Sequence, residues 1–491
     1  MRIRTSLPAA LALTALLAPA GLRPAAAQTT TAQTTAVQTT AVQTAAQTAA
    51  APDALRVTPP TLEVQQRELP NGLRVLLYED HSVPVLNLQV IYHVGSKNER
   101  PGRSGFAHLF EHIMFKGSEN VGPEEHKVYV ESIGGVYNAG TNFDTTTYWE
   151  TIPSNYLERF LWLEADRMRA LDVSETNFVS ERDVVKEEKQ LRYETPPFGR
   201  LLQNMLGNTY HTHPYRLPAI GKVEDLNAAT LADVRDFHST FYVPNNATLI
   251  LSGDFDPAQA MQWVEKYFGP ISKGKPIVRD IAQEPEQKAE TRAVVYDNNT
   301  PLPLVMITCH IPRAGDSDNY ALEVASNILS QGESSRIYRD LVYEKQMAVA
   351  AGGETLVLED PGVFFFYTIL QGGHTAEEGE KALLDEVQRL QSEPVSAEEL
   401  AKAKNQIVSS LVFGRETVQQ KADAIGYAAV VLGDVSLVNQ QLPLYQKVTA
   451  EDVQRVARKY FRPENRNVIY MLPEAMRPAQ GAQSGKSEVK Q

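Results

Sequence analysis

Between residues 62 and 94 the apolar positions fall into short runs, 73–77 and 85–94, separated by Pro70-Asn71-Gly72 and a polar stretch. Short apolar runs bounded by turn residues predict β-strands, and Asn-Gly predicts a hairpin turn leading into the strand at Val75, Leu76 and Leu77. Over residues 106–115 the period changes. Apolar residues fill one helical face around a polar His-Glu-His set, which predicts a helix. A second helix is predicted around residues 181–191, with Val184, Val185 and Leu191 as its apolar contacts.

The ends of the chain carry different patterns. Arg2 and Arg4 precede an apolar stretch over residues 9–22 and the small residues Ala25, Ala26 and Ala27, predicting a signal peptide over 1–27 and a mature chain that begins at Gln28. Pro19 interrupts the stretch, which is shorter than the roughly 20 residues a membrane span needs, so export to the periplasm or outside the cell is expected rather than anchoring. Residues 28–51 cycle through Gln, Thr, Ala and Val without an aromatic or a charge, so 28–58 is read as a flexible low-complexity linker and 476–491 as a disordered tail.

An internal duplication sets the architecture. The segment Phe241-Tyr242-Val243-Pro244-Asn245-Asn246 returns as Tyr460-Phe461-Arg462-Pro463-Glu464-Asn465, an offset of 219 residues (460 minus 241). Thr230-Leu231-Ala232-Asp233-Val234 against Thr449-Ala450-Glu451-Asp452-Val453, and Val83-Pro84-Val85 against Leu302-Pro303-Leu304, match at the same offset. The predicted fold is α+β: two homologous domains, each a mainly antiparallel sheet packed with helices, over 59–278 and 292–475 with a linker at 279–291. The second domain's counterpart of the His-Glu-His helix, around residues 320–329, holds no histidine.

The 491 residues are 43% hydrophobic and 22% charged, the balance of a folded protein large enough for two domains. The net charge of -13 and the absence of clustered Lys and Arg argue against nucleic-acid binding. The lone Cys309 cannot form an internal disulfide and sits in an apolar run, so it reads as a buried small hydrophobe.

The candidate chemistry lies in His108-Leu109-Phe110-Glu111-His112. Histidines four apart share a helix face and can reach one ion, while Glu111 lies close enough to that face to address a water there without being a ligand. This is the inverted His-x-x-Glu-His order of zinc peptidases. Alone the motif is short enough to arise by accident, and a third ligand decides the matter. Glu181 and Glu188, two helical turns apart, offer carboxylates on one face of the second predicted helix, with Glu187 as a register alternative; a solvated acidic helix is the competing reading.

His108 to His112 followed by Glu188 resembles the pitrilysin and insulysin superfamily, in its short-chain processing-peptidase-like branch. Gly134-Gly135-Val136-Tyr137-Asn138-Ala139, His213-Pro214-Tyr215 with Gly221, and Pro244-Asn245-Asn246 fit the same resemblance. It implies one zinc ion per chain held by His108, His112 and Glu188, with Glu111 as catalytic base activating a zinc-bound water, and Glu181 supporting the site from behind. Asn138 and Ala139 match the edge strand on which the family's peptide substrates pair. The activity implied is zinc-dependent endopeptidase action on short or unfolded peptides.

The sequence departs from the family at one point. The Arg and Tyr that complete enzymes carry in the second domain correspond to Tyr343 and Ala350. Neither supplies a guanidinium or phenol in the same role. The expected arrangement is therefore the zinc-bearing subunit of a heterodimer whose homologous partner supplies the Arg and Tyr. The alternatives are a self-sufficient homodimer using Arg336, Tyr338 or Arg339, and a non-catalytic peptide-binding scaffold.

Overall fold

The computed structural model describes residues 59–478. The predicted signal peptide 1–27 and linker 28–58 lie outside the described residues, as does the predicted tail beyond 478. None of the described helices is long and apolar enough to cross a membrane.

Two sheets carry the chain. The first contains β1 (Gln65–Glu68), β2 (Arg74–Glu79), β3 (Val85–Tyr92), β4 (Val136–Thr141), β5 (Thr146–Pro153) and β6 (Ala247–Gly253), in the order β1-β2-β6-β3-β5-β4. The second contains β7 (Thr291–Asp297), β8 (Leu304–Ile311), β9 (Ala348–Leu356), β10 (Gly362–Leu370) and β11 (Arg466–Pro473), in the order β7-β11-β8-β10-β9. Each has one parallel pair, β2 with β6 and β7 with β11, and is otherwise antiparallel. Apart from the extra strand β1 the two orders are the same, as a duplication requires. Asn71 holds the turn before β2 by donating from its side chain to Phe268 O and Ile271 O, at 2.8 and 2.9 Å.

Five helices position the site or join the halves: α1 (Phe106–Ile113), α2 (Glu175–Lys189), α3 (Leu201–Thr209), α4 (Asp318–Ser330) and α5 (Val418–Gly426). α1 lays Phe106, Leu109, Phe110 and Ile113 on the core of the first sheet, beside Leu88, Val90 and Tyr92. It ends two residues short of the span the apolar pattern predicts. α4 is its counterpart in the second half and packs Leu322, Ala325 and Leu329 against the second sheet's core.

α2 corrects one expectation. Of the three predicted apolar contacts only Val185 is buried, whereas Val184 and Leu191 are exposed. The helix anchors its apolar contact through Phe178 and Val185 and buries Glu181 and Lys189 along the same face. The lone Cys309 is buried on β8, as its apolar run implies, and its burial pushes the thiol up to about 12.

The halves interlock by exchange. α3, from the first half, lies on the second sheet, where Thr209 Oγ1 meets Thr308 Oγ1 at 2.7 Å. α5, close to one repeat offset further on, lies on the outer face of the first sheet; Ala422 and Ile425 pack with Leu76, Ile91 and Ile250. Each sheet thus has one face covered by its own helices and part of the other by the opposite half.

A buried ammonium ties the seam. Lys97, 3% exposed, meets Asp144 at 2.9 Å, Glu359 at 2.7 Å and Asp360 at 3.1 Å. Burial opposes its charge, but Asp144 and Glu359 hold its pKa above the usual lysine value. His213 and, after it, Lys97 hold the Asp360 carboxyl down at about 2. Removing the cation would leave three carboxylates together, so Lys97→Met is expected to cost about 3 kcal/mol, read as a fall in the urea unfolding midpoint. Because the folded-state pKa of Asp360 is depressed, its contribution is present above the ordinary carboxylate pKa and is lost as the pH falls toward 2. Acid titration of the wild-type and Lys97→Met midpoints should therefore converge in that window.

Candidate functional site

α1 and α2 come from segments some seventy residues apart, and their meeting builds the site. α1 begins at Gly105, whose φ of 90° is open to glycine and strained for other residues. Its first amide groups have no partner within the helix. Glu99 fills that need: Oε2 accepts from Gly105 N and Oε1 from Ala107 N, each at 2.9 Å. This cap lies six residues before the helix proper, too far for an N-cap motif to reveal it.

The two helices are registered by backbone contact. Gly221 has φ +69°, and a Cβ on it would lie 2.3 Å from Gly105 N. The buried ammonium of Lys189, at the end of α2, donates to Gly221 O at 2.5 Å. Ser104 Oγ, donating to Asp225 and accepting from Lys222 N, closes the same contact. Glu188, next to Lys189, is thereby held opposite the histidines of α1.

His108, His112 and Glu188 each offer a ligand atom, and these atoms all lie within 4.8 Å of one another. Glu188 Oε2 is 3.2 Å from His112 Nε2 and 3.6 Å from His108 Nε2. The other ring nitrogen of His112, Nδ1, faces Glu181 Oε2 at 3.5 Å, and Glu181 Oε1 takes Lys116 at 3.0 Å. Glu187, the register alternative, is exposed and outside the cluster.

The electrostatics suit a cation. Burial lowers the pKa of His108 to about 4, keeping it neutral and able to donate a lone pair. It has no hydrogen bond at either nitrogen among the described residues: Nδ1 is buried without a partner, and 3.6 Å from Nε2 to Glu188 is too long. A buried imidazole so placed is costly unless something else engages it. Burial opposes a proton on His112, yet Glu181 and Glu188 raise its pKa to about 9. The same carboxylates favour a metal cation between them. Two imidazoles, one carboxylate and a second carboxylate behind His112 form a donor set that fits zinc, with a fourth position left for water.

Glu111 shares α1 with the histidines. Burial raises its carboxyl, and a hydrogen bond with Thr141 of β4 partly offsets that. β4 is the edge of its sheet, paired only with β5. Asn138 is exposed on it, and its Oδ1 accepts from Ala139 N at 2.9 Å, capping an amide that an added strand could use.

The second half adds no cation at the predicted positions. Tyr343 is 76% exposed and Ala350 lies on β9. Arg336 is forked onto Glu399, at 2.7 and 2.9 Å, and Arg339 pairs with Glu344 at 2.7 Å. The Arg336 guanidinium, largely buried, is committed within its own half, while Arg339 is 67% exposed.

Gly221→Ala tests the registering contact. A Cβ there meets backbone on both sides of the Gly105 turn, so stability is expected to fall by about 2 kcal/mol or more and zinc retention with it. Calorimetric melting and metal content after dialysis measure both; an unchanged melting temperature and full zinc retention would contradict the role given to this contact.

Residues 74–222 match the insulinase family, peptidase family M16, and residues 228–407 match the peptidase M16 inactive domain. The chain is 30% identical over 413 residues to the zinc protease PqqE of Helicobacter pylori, covering 82% of this chain and 92% of that protein. The crystal structure of a protease from Helicobacter pylori superposes with a TM-score of 0.80 at 30% identity, covering 84% of this chain and all of the other. The first half of the periplasmic protease PqqL from Escherichia coli shares the fold, with a TM-score of 0.70 at 20% identity over 85% of this chain and 93% of that one. With this sequence similarity running through both halves, and the inverted histidine motif on its zinc-protease-like helix, the chain belongs to peptidase family M16, the insulinase or pitrilysin-like peptidases.

Proposed function

We propose that this chain is a zinc-dependent endopeptidase acting on short or unfolded peptides. The observation that carries the reading is the convergence of His108, His112 and Glu188 within 4.8 Å, beside Glu111 on the same helix. His108, His112 and Glu188 would hold one zinc ion. When bound, that ion supplies Lewis acidity to a water and to the scissile carbonyl.

The remaining work belongs to the chain. Glu111 accepts the proton of the attacking water and returns it to the leaving amine, a task helped by the upward shift that burial gives its carboxyl. Glu181 orients His112 through Nδ1, leaving Nε2 to face the site. The peptide adds to the edge of β4 at Asn138 and Ala139, displacing the Asn138 amide from the Ala139 N–H. Backbone pairing of this kind selects an extended conformation more than a sequence.

The chain acts as the zinc-bearing subunit of a heterodimer whose homologous partner supplies an Arg and a Tyr. The commitment of the largely buried Arg336 to Glu399 supports this over a homodimer that recruits it. The N-terminal pattern supports export to the periplasm or beyond.

Two measurements test the reading. The purified chain should hold close to one zinc, lose activity to a chelator and recover it with zinc; Glu111→Gln should retain the metal yet lower kcat by about a thousandfold. Hydrolysis of a mixed peptide library should require the partner. Full activity of the chain alone would refute the heterodimer, and absence of both zinc and hydrolysis in either condition would refute the peptidase.

A further inference from the structure

Beyond the end of α2 the helix widens for one turn over Gln190–Glu194, where Thr195 N donates to Gln190 O, five residues back. Such widened turns occur often at functional sites because they shift side chains out of helical register. Arg192 lies in this turn and, four residues after Glu188, keeps the ordinary helical pairing with it. Its Nη1 meets Glu188 Oε1 at 2.7 Å, while Glu188 Oε2 faces the two histidines. The guanidinium therefore stands directly behind the carboxylate of the metal cluster.

The lysines nearest the cluster are engaged elsewhere. Lys116 is taken up by Glu124 and Glu181, Lys189 is buried on Gly221 O, and Lys186 pairs with Asp183. The side chain of Arg192 is 65% exposed and has Glu188 as its only acidic partner among the described residues. Only the Glu188 carboxylate separates its guanidinium from the two imidazoles of the cluster. A guanidinium has five N–H donors, and one ion pair leaves most of them facing solvent. The fork that remains matches a carboxylate.

We propose that Arg192 is a specificity-determining residue: its free edge receives a carboxylate of the bound peptide, so the site prefers peptides with an acidic group next to the scissile bond. The proposal rests on the peptidase reading and names its substrate class. The acidic group can be an Asp or Glu side chain or a free C-terminal carboxylate, since both present the same two oxygens. The preference is local: the protein as a whole carries a net charge of -13, so long-range attraction does not supply it, and salt that screens the exposed guanidinium should weaken it.

The test uses zinc-loaded full chain carrying Glu111→Gln, with the partner subunit present, and reads peptide binding by fluorescence anisotropy, so it does not depend on hydrolysis. Peptide pairs differ only by Glu against Gln at each position flanking the scissile bond, or by a free against an amidated C-terminus. One acidic form should bind about tenfold more tightly. Adding Arg192→Gln should remove that difference, Arg192→Lys should keep part of it, and zinc content should stay near one per chain in all three. The side-chain and C-terminal pairs tell the two sources apart. Equal binding of acidic and neutral forms throughout, an unchanged preference in Arg192→Gln, or an equal loss of both forms accompanied by lost zinc would overturn the proposal; the last outcome would make Arg192 only a support for Glu188. Parallel hydrolysis by the Glu111-intact complex judges the peptidase reading separately, because absent cleavage with the binding preference intact would remove that reading and leave the Arg192 contact.

Discussion

The contact of Gly105 with Gly221 is the constraint on which the site depends. Metal ligands must sit within a few tenths of an ångström of their working positions, and here they come from helices that no short-range geometry relates. Side chains alone would leave such a pair free to slide. Backbone against backbone does not, and the absence of a Cβ at both positions lets the chain approach that closely. Lys189 then turns the contact into a register, because the residue that grips Gly221 O is the immediate neighbour of Glu188. Glu99 completes the arrangement from the other side by fixing where α1 begins.

Much of this was legible in the sequence because periodicity and spacing are local properties. Histidines four apart declare a shared helix face, and the duplicated Pro-Asn segments declared two sheets of the same strand order. What escaped was long-range or backbone-mediated. Glu99 caps a helix from six residues away, and Lys97 looks like any polar loop residue until Asp144, Glu359 and Asp360 arrive from elsewhere in the chain. Val184 and Leu191 looked like core residues because an apolar side chain in a helical pattern is read as inward-facing; the charged residues around them gave no sign that α2 buries only a narrow stripe. Arg192, four residues after Glu188, is an ordinary helical pair whose spacing the sequence displays; only the meeting of α2 with α1 puts that pair beside the histidines.

The exchange of helices explains why a half without the His-x-x-Glu-His motif persists in the chain. If the halves were independent, the second could be lost at little structural cost once chemistry resided in the first. Instead α5 covers Leu76, Ile91 and Ile250 on the outer face of the catalytic sheet, and α3 leaves the first half to cover the second sheet. Removing either half would expose an apolar sheet face of the other, which is an aggregation hazard as well as a loss of burial energy.

That interdependence also bears on where chemistry could be lost. Substitutions at α4, the counterpart of α1, leave the fold intact provided that they keep its buried stripe of Leu322, Ala325 and Leu329. Its polar positions are tied into the second half as well, Asp318 taking Arg455, Lys459 and Tyr460, and Glu323 taking Tyr445. In α1 the apolar stripe of Leu109, Phe110 and Ile113 meets the same packing demand, and the polar positions between them carry His108 and His112, which converge with Glu188. One architecture therefore imposes the same core on both helices while leaving the polar face of each free to serve a separate end. In the first half that face forms the candidate site with its own caps and glycine contact; in the second it makes ion pairs and hydrogen bonds within the half.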